Sequence, residues 1–307
     1  MQRLMSVFPI VPFALPLRAF FKHRFDRGLQ AQRRVLLLLI LFLPSLALAT
    51  NTTAKNSSVT APALDRTITI ATGEYPPWVG SSLPHDGYVN HIISEAFASQ
   101  GLKVEFVYLP WKRAFEETRQ GKFDATSYWY GNAERREAML FSDSLITNRI
   151  VFFQREDAPK VRWKTFNDLA PYRMSITLGY TYSGDFYDAI ESKLLNPIIV
   201  SSDVQNLKLL MAKRVDLFAT DEMSGYYMAA QLSIDPRKLA VIEPALVKPQ
   251  GYLLAGKINP DSQLIIDTFN RGLRTIKANG KYQKILSRID ASSFYNPNAK
   301  AKTPSVN

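Results

Sequence analysis

The most informative stretch of the sequence runs from Gly121 to Arg149 and reads GKFDATSYWYGNAERREAMLFSDSLITNR. It contains a short β run that starts at Phe123, an aromatic segment at 128–130, and a helix that starts at Ala133. Arg135 lies just inside this helix, after the end of the strand. A guanidinium in that position is well placed to bind a carboxylate through two parallel hydrogen bonds. The stretch therefore predicts a strand–helix unit with a carboxylate-binding arginine at its junction.

Short β runs alternate with amphipathic helices on both sides of this stretch. In the first half of the chain the β runs are 67–71, 103–108 and 123–126, and the helices between them are 87–100 and 112–120. The second half repeats this order with a helical turn at 165–169, β runs at 174–178, 197–200 and 215–219, and helices at 185–194 and 204–213. This order predicts two α/β lobes, each a parallel-rich sheet flanked by helices. The ligand site is expected in the cleft between the lobes, at the carboxyl ends of the strands.

The composition is that of a globular protein and excludes several kinds of site. The 307 residues are 46% hydrophobic and 21% charged, and none is a cysteine. Disulfides, thiolate metal sites, cysteine nucleophiles and a lipid anchor on cysteine are therefore excluded. Apart from His23, the histidines are His85 and His91, which form a poor metal-ligand set, so we expect neither a metal nor a cofactor. The pair His85-Asp86 could supply ligands, but its place beside Gly87 favours an exposed loop.

The formal net charge of +11 is unevenly distributed along the chain. Seven basic residues and one acidic residue in positions 1–49 account for +6, which leaves +5 for the remainder. In the remainder the two signs are interspersed and form no basic stripe. Nucleic acid is therefore not expected as a partner.

A secretory signal is predicted near the N-terminus. Arg33-Arg34 precede the apolar run VLLLLILFLPSLALA at 35–49, which ends in the small-x-small sequence Ala47-Leu48-Ala49. The run is shorter than the ~20 residues that span a bilayer, and Pro44 interrupts it. We expect cleavage after Ala49 and export to the periplasm; an uncleaved anchor is the alternative. Either the n-region is unusually long or the true start lies further in.

The chain is expected to cross between the lobes twice, at 150–153 and at 250–254. Two crossings form a hinge that can close the lobes over a ligand. The C-terminal helices at 261–278 and 281–289 are expected to return to the first lobe. The predicted division is a signal peptide at 1–49, a flexible lead-in at 50–65, lobe 1 at 66–152 and 252–290, lobe 2 at 153–251, and a flexible tail at 291–307.

Short motifs follow one another along residues 66–290 in a fixed order. They are Glu74-Tyr75-Pro76-Pro77-Trp78, Gly87-Tyr88, Gly121-Lys122-Phe123-Asp124-Ala125, Glu134-Arg135 with Phe141-Ser142, Asn167-Asp168-Leu169, Leu178-Gly179-Tyr180-Thr181, Lys213-Arg214-Val215-Asp216 with Thr220-Asp221, and Asn279-Gly280-Lys281-Tyr282. Each motif is weak alone, but the ordered set resembles the type 3 extracellular solute-binding proteins of bacteria, a family best known for polar amino acids. The resemblance implies the two-lobed periplasmic-binding-protein fold of type II.

The resemblance also implies roles for residues of both lobes. Arg135 would bind a ligand carboxylate, and Asp221, at a strand end in the other lobe, would accept hydrogen bonds from a ligand ammonium. Thr181, beginning a helix, would add its hydroxyl and backbone N–H to the carboxylate, helped by the partial positive charge of the helix N-terminus. Tyr75 would form one wall. A zwitterion held in this way pairs both charges only when the lobes are closed, so it would stabilise the closed state.

Each of these residues also has a purely structural interpretation. Arg135 could pair with a glutamate beside it on a solvated helix face, and its neighbour Arg136 could be the ligand contact instead. Asp221 could belong to a solvated loop, and Thr181 could be a helix N-cap. Trp111 could face the cleft or pack in the core.

The aromatic run at 128–130 departs from the pattern of the amino-acid binders, which carry small residues there in a segment one residue longer. Large rings narrow a pocket or stack on a flat or cationic ligand. Alternation along an extended segment sends Tyr128 and Tyr130 to one side and Trp129 to the other, although one or two of these rings could point into the core. The ligand's identity is therefore left open. The candidate ligand-binding residues are Arg135, Asp221, Thr181, Tyr75, Trp78, Trp111, Tyr128 and Tyr130.

Three functions fit these features. The first is a monomeric periplasmic protein that captures a small polar or zwitterionic, amino acid-like ligand and delivers it to the membrane permease of an ABC transporter, as the resemblance implies. The second is an enzyme on the same fold, similar to the dehydratases related to this family, for which Glu74, Asp221 and His91 are the available acid–base groups. The third is a stand-alone sensor or scavenger. No specific catalytic set is recognised, so the first function is predicted.

Overall fold

The computed structural model describes residues 66–289 and Phe294. The predicted signal peptide, the lead-in and the tail apart from Phe294 lie outside the described residues. Within the described part, no helix is both long enough and apolar enough to cross a membrane.

Strands and helices alternate along the described chain, as the sequence predicts. The strands are β1 (Ile68–Thr72), β2 (Val104–Tyr108), β3 (Ala125–Tyr130), β4 (Met139–Phe141), β5 (Ile146–Thr147), β6 (Ile150–Arg155), β7 (Met174–Thr177), β8 (Ile198–Val200), β9 (Leu217–Asp221), β10 (Leu239–Val247) and β11 (Gln250–Gly256). The α-helices are α1 (Tyr88–Ala98), α2 (Trp111–Arg119), α3 (Ala133–Ala138), α4 (Gly184–Glu191), α5 (Asp203–Met211), α6 (Glu222–Gln231), α7 (Ser262–Ala278) and α8 (Lys281–Leu286). Short 3-10 helices lie at Pro84–Asp86, Phe166–Leu169 and Pro236–Lys238.

The strands form two mixed sheets. The order in the first sheet is β2-β1-β3-β11-β4, with β5 paired to β11, and the order in the second is β10-β6-β9-β7-β8. In the first sheet β1 is parallel to β2 and β3, and in the second β7 is parallel to β8 and β9. The long strands β6 and β11 run antiparallel to their neighbours. The predicted fold class, two sheets flanked by helices, is confirmed.

The chain passes between the two sheets at 148–149 and again at 248–249. Strand β5 pairs with β11 in the first sheet, whereas β6 pairs with β9 and β10 in the second. These passages precede the predicted crossings at 150–153 and 250–254, because β6 and β11 each belong to one sheet from their first residue. We therefore propose lobe boundaries of 66–148 with 249–289, and 149–248.

Helices α1 and α7 pack against each other over the first sheet. The ring centroids of Phe97 on α1 and Phe269 on α7 are 5.4 Å apart, and both side chains are fully buried with Ile92. Gly272 permits this approach, since a Cβ atom at that position would lie 2.0 Å from the carbonyl oxygen of Ala96. The predicted apolar face of α1 is thus confirmed as a core face.

Sequence periodicity did not predict α6 or β10, and it ended β3 four residues early. Pro244 interrupts β10, and a register shift between Ile242 and Val247 accommodates it. Strand β3 continues to Tyr130 because β11 pairs with it, and Gly251 of β11 leaves space for the ring of Tyr128. The extension of β3 therefore depends on a partner more than a hundred residues away in the sequence.

Asp124, within the stretch 121–149, connects β1 to the start of β3. Its Oδ2 atom accepts hydrogen bonds from Thr69 N at 2.8 Å, Thr69 Oγ1 at 2.9 Å and Arg66 Nη1 at 2.6 Å. Burial alone would raise the pKa of Asp124, but the hydrogen bonds from Arg66 and Thr69 outweigh it and hold the pKa below its ordinary value. The ionised carboxylate therefore stabilises the fold.

Replacing Asp124 with Ala is expected to lower the free energy of unfolding at pH 7 by about 2–3 kcal/mol, because the part-buried donors of Thr69 and Arg66 lose a charged acceptor. Urea unfolding of the two proteins measures this loss. The matched control is Asp143→Ala: Asp143 pairs with Arg274 at 3.2 Å, and both side chains are more than half exposed. An exposed pair contributes about 0–1 kcal/mol, so equal losses in the two variants would contradict the prediction.

The loss caused by Asp124→Ala should depend on pH. Because the folded-state pKa of Asp124 is depressed, its contribution is fully present above the unfolded pKa of about 4 and is lost as the pH falls through the folded value. The difference in free energy of unfolding between wild type and variant should therefore be largest at pH 7 and shrink as the pH falls into the acid range. A difference that stays constant down to acid pH would show that the ionised carboxylate is not responsible.

Candidate functional site

A small cavity of about 150 Å³ lies where strand ends of the two sheets face each other. From the first sheet and its loops it is lined by Tyr75, Trp111, Tyr128, Trp129, Tyr130 and Arg135, and from the second by Ile150, Gly179, Tyr180, Thr181 and Tyr182. Six of the eight predicted site residues are therefore brought together. The other two, Trp78 and Asp221, lie outside the lining and contact each other.

Arg135 is the cationic group of this lining. Its Nη1 atom donates to the carbonyl oxygen of Tyr130 at 2.7 Å, and its guanidinium lies over the ring of Trp129, 4.8 Å from the centroid. Asn132 caps α3 and fixes the backbone of Arg135, because its side chain accepts from Arg135 N at 2.8 Å. Burial lowers the pKa of the guanidinium, and no hydrogen bond joins it to a carboxylate of the described residues. The remaining N–H groups are available to an anion in the cavity.

The polar ends of the tyrosines around the cavity are bonded to the protein. Tyr75 and Tyr130 hydroxyls lie 3.3 Å apart, Tyr128 donates to Asn148 Oδ1, Tyr180 donates to Asp203 Oδ2 at 3.0 Å, and Tyr182 donates to Ala219 O at 3.4 Å. The indole nitrogens of the lining are bonded as well, Trp111 to Glu74 O at 3.3 Å and Trp129 to Thr126 Oγ1 at 3.0 Å. The cavity is therefore bordered mainly by ring carbon.

The three rings of the aromatic run divide as alternation predicts. Tyr128 and Tyr130 contact each other with ring centroids 5.7 Å apart, and Tyr75 joins this pair. Trp129 instead packs edge-on against Trp111, at 5.2 Å between centroids, beside α2. All three still reach the margin of the cavity, so the separation is less complete than the alternation implied.

Asp221 is in a different environment from the one its predicted role requires. It is 1% exposed, and its carboxylate accepts from Trp78 Nε1 at 2.7 Å, Asn148 Nδ2 at 2.8 Å and Ser224 N at 2.9 Å. Burial raises its pKa, and these hydrogen bonds oppose the rise. Because three protein donors already occupy the carboxylate, Asp221 serves as N-cap of α6 and as a link between the sheets, and not as an exposed acceptor.

Thr181 lines the cavity but does not begin a helix. Helix α4 begins at Gly184, and its N-cap is Ser183, whose Oγ accepts from Phe186 N at 3.3 Å. Thr181 is three residues before the helix, so the predicted help from the helix N-terminus is wrong for this residue. Its hydroxyl, on a loop after β7, stays available to a ligand.

Sequence reasoning missed Asn148, Tyr180, Tyr182 and Asp203. Asp203 is buried and accepts from the hydroxyls of Thr177, Tyr180 and Thr220. Burial raises the pKa of Asp203, although these hydroxyls oppose the rise. The Gly-Tyr-Thr-Tyr sequence at 179–182 was the available signal, because it repeats the alternating aromatics of 128–130.

A second cavity, of about 390 Å³, contains none of the predicted site residues. It is lined by Tyr88, His91, Tyr227 and Phe294 among others. The smaller cavity is the candidate site because six predicted site residues, Arg135 and Thr181 among them, line it. Among the described residues, no group of three or more His, Asp or Glu side chains could hold a metal ion.

Comparison with known proteins agrees with this architecture. The family model described as "Bacterial extracellular solute-binding proteins, family 3" matches residues 68–289. The L-cystine-binding protein TcyA of Bacillus subtilis (strain 168) is 24% identical over 226 residues, which are 71% of this chain and 79% of that protein. The arginine-binding periplasmic protein of Mannheimia haemolytica is 25% identical over 235 residues, 75% of this chain and 92% of that protein.

Solved structures share the fold at low sequence identity. A histidine kinase sensor domain with similarity to periplasmic binding proteins has a TM-score of 0.59 at 18% identity, over 73% of this chain and 96% of that one. The ancestral amino acid-binding protein AncCDT-1, a precursor of cyclohexadienyl dehydratase, has a TM-score of 0.56 at 22% identity, over 73% and 94%. These likenesses concern the fold alone.

The hydrogen bond between Trp78 and Asp221 is expected to stabilise the protein measurably. Trp78→Phe removes the indole N–H and should cost about 1–3 kcal/mol more than the loss of ring area alone. Trp163→Phe is the matched control, because Trp163 Nε1 is buried without a hydrogen-bond partner among the described residues. Chemical unfolding of both variants gives the difference. Equal losses would mean that the Trp78–Asp221 bond contributes nothing to stability.

Proposed function

Since the chain belongs to family 3 of the bacterial extracellular solute-binding proteins, we propose that it captures a small polar or zwitterionic solute by the carboxylate. The solute would lie in the cavity between the sheets, with its carboxylate on Arg135. The observation that carries this proposal is the guanidinium itself, which borders the cavity, is partly desolvated and has no carboxylate bonded to it among the described residues. A partly buried cation without a bonded carboxylate gives a large favourable binding free energy when an anionic ligand pairs with it.

The size and the walls of the cavity support a small ligand. A volume of about 150 Å³ is below the range of ~300–1,000 Å³ that holds drug-sized molecules. Both sheets contribute to the lining, so a ligand that contacts Arg135 and Thr181 together stabilises the arrangement in which they face each other. Closure over the solute is thus part of the proposal.

Delivery to the membrane permease of an ABC transporter, as a monomer in the periplasm, is the proposed role of the complex. Both curated relatives bear the names of binding proteins, and one is named as periplasmic. The described lining of the cavity contains no carboxylate and no imidazole that could act as a general acid or base. Glu74 is exposed and bonded to Ser81, and His91 lines the second cavity. These placements favour binding over a dehydratase activity.

Arg135→Ala is expected to weaken binding of a carboxylate ligand by about 10- to 100-fold, the range for loss of a charge-assisted pair of hydrogen bonds. Ligands are first found by thermal shift with amino acids, amines and small carboxylates, since a ligand at about 100 times its Kd adds about 2.7 kcal/mol to stability. Calorimetric titration then measures the loss.

Arg136→Ala is the matched control for this variant. Arg136 follows Arg135 on α3 but lies over the ring of Phe141, 4.6 Å from the centroid, outside the cavity lining. Its removal should leave the affinity unchanged. An unchanged affinity in Arg135→Ala, or an equal loss in Arg136→Ala, would refute the role of Arg135. Turnover of a bound ligand, detected by mass spectrometry, would favour an enzyme instead.

A further inference from the structure

We propose that the ligand is a betaine-type zwitterion, in which a fully substituted, quaternary ammonium takes the place of the primary ammonium of an amino acid. This inference rests on the proposed function, because it assumes that Arg135 binds the ligand carboxylate. It concerns the other end of the ligand, which faces the tyrosines. Four observations support it: the bonded Asp221 carboxylate, the bonded hydroxyls, the crossed rings and the buried charges behind them.

The described side chains that line this cavity offer a primary ammonium neutral hydroxyl oxygens and no carboxylate. An ammonium group has three N–H donors, and each costs free energy if it is buried without a partner. The Asp221 carboxylate accepts from Trp78 and Asn148 and lies outside the cavity lining. The tyrosine hydroxyls donate to protein groups and keep only neutral lone pairs, which are weaker acceptors for an ammonium than a carboxylate, and the indole nitrogens cannot accept. A quaternary ammonium has no N–H group and needs none of these acceptors.

The rings around the cavity are arranged to enclose a rounded group. Tyr75 and Tyr180 meet edge to face at 88°, with centroids 6.0 Å apart, although they belong to opposite sheets. Tyr128 and Tyr130 are inclined by 78° at 5.7 Å. Parallel rings would form a slot for a planar ligand, whereas crossed rings present faces and edges from several directions. Ring faces attract quaternary ammonium groups through their electron density.

Two buried carboxylates lie behind this aromatic wall. Asp221 hydrogen bonds to neutral groups of Trp78, Asn148 and Ser224, and Asp203 to hydroxyls that include that of Tyr180. None of their hydrogen-bond partners among the described residues is a cation. In surroundings of low dielectric constant their negative potential extends through the rings into the cavity. A cation that packs on the rings gains this attraction without disrupting either hydrogen-bond network.

Arg135 fixes the direction in which the ligand binds. Its guanidinium is the one charged group of the described lining, and together with the Thr181 hydroxyl it suits a carboxylate. A cation without a carboxylate would meet Arg135 without compensation. A planar carboxylate without a cation would gain nothing from the potential of Asp203 and Asp221. The zwitterion with a methylated nitrogen satisfies both ends of the cavity.

The test compares amino acids with their N-methylated forms by calorimetric titration of the chain expressed from its full sequence. The matched pairs are glycine and glycine betaine, proline and proline betaine, and 4-aminobutyrate and its trimethylated form; choline and benzoate serve as half-ligands. In at least one pair the methylated form should bind tenfold or more tightly than its parent, and more tightly than either half-ligand. If in each pair the parent binds as tightly as the methylated form, or if none of the six binds, the inference is overturned.

The outcomes separate this inference from the proposed function. Tight binding of a primary amino acid that is lost in Arg135→Ala would overturn the betaine assignment and retain the role of Arg135. Benzoate as the tightest ligand would assign a planar carboxylate and overturn the inference. Binding of a betaine with the same affinity in Arg135→Ala would instead overturn the proposed function.

A ring variant tests the aromatic contact directly. Tyr75→Leu removes a ring that faces Tyr180, and it should reduce the preference for the methylated over the parent ligand about tenfold. Tyr252→Leu, outside the cavity lining and packed on Phe141, should keep the preference. The measured quantity is the ratio of two affinities in the same protein. A general loss of stability would lower both affinities and leave this ratio unchanged. An unchanged ratio in Tyr75→Leu contradicts the inference.

Discussion

A buried carboxylate must be hydrogen bonded, and Asp221 places this requirement at the centre of the molecule. Its three donors are Trp78 from the loop after β1, Asn148 from the passage between the sheets, and Ser224 from α6. Asn148 also accepts from Tyr128, which holds one ring of the cavity. The relative position of the two sheets, the orientation of the aromatic wall and the start of α6 therefore all depend on the satisfaction of one charge.

The charged groups around the cavity differ in how many hydrogen bonds the protein supplies to them, and this difference defines the site. The protein surrounds Asp221 and Asp203 with donors of its own, whereas it gives Arg135 one carbonyl oxygen and one ring face. A charge that is already hydrogen bonded contributes to stability and to potential, and a charge with free donors contributes to recognition. The aromatic rings between them separate the two roles in space. Selectivity for the ligand then depends on which chemical group can pack against the aromatic rings.

The sequence predicted the βα rhythm, the two-sheet architecture and the position of Arg135, since these depend on local periodicity and on order along the chain. It could not predict the state of Asp221, because a carboxylate at a strand end looks the same whether a ligand or Trp78 covers it. Trp78 is 143 positions away from Asp221 and Asn148 is 73 positions away. Nor could it predict Ser183 as the N-cap of α4 in place of Thr181, the residue expected to begin the helix, because two hydroxyl residues compete there and backbone geometry decides.

The passages between the sheets have a consequence for the order in which the chain folds. Strands β6 to β10 form one uninterrupted segment, and β11, which joins β3 to β4 in the first sheet, follows it. The pairing of β3 with β11 closes a loop that contains the whole second sheet, and such long-range pairing is slow. During synthesis every strand of the second sheet leaves the ribosome before β11 does. The sheet whose first strands are made first is therefore also the sheet whose last strand is made last.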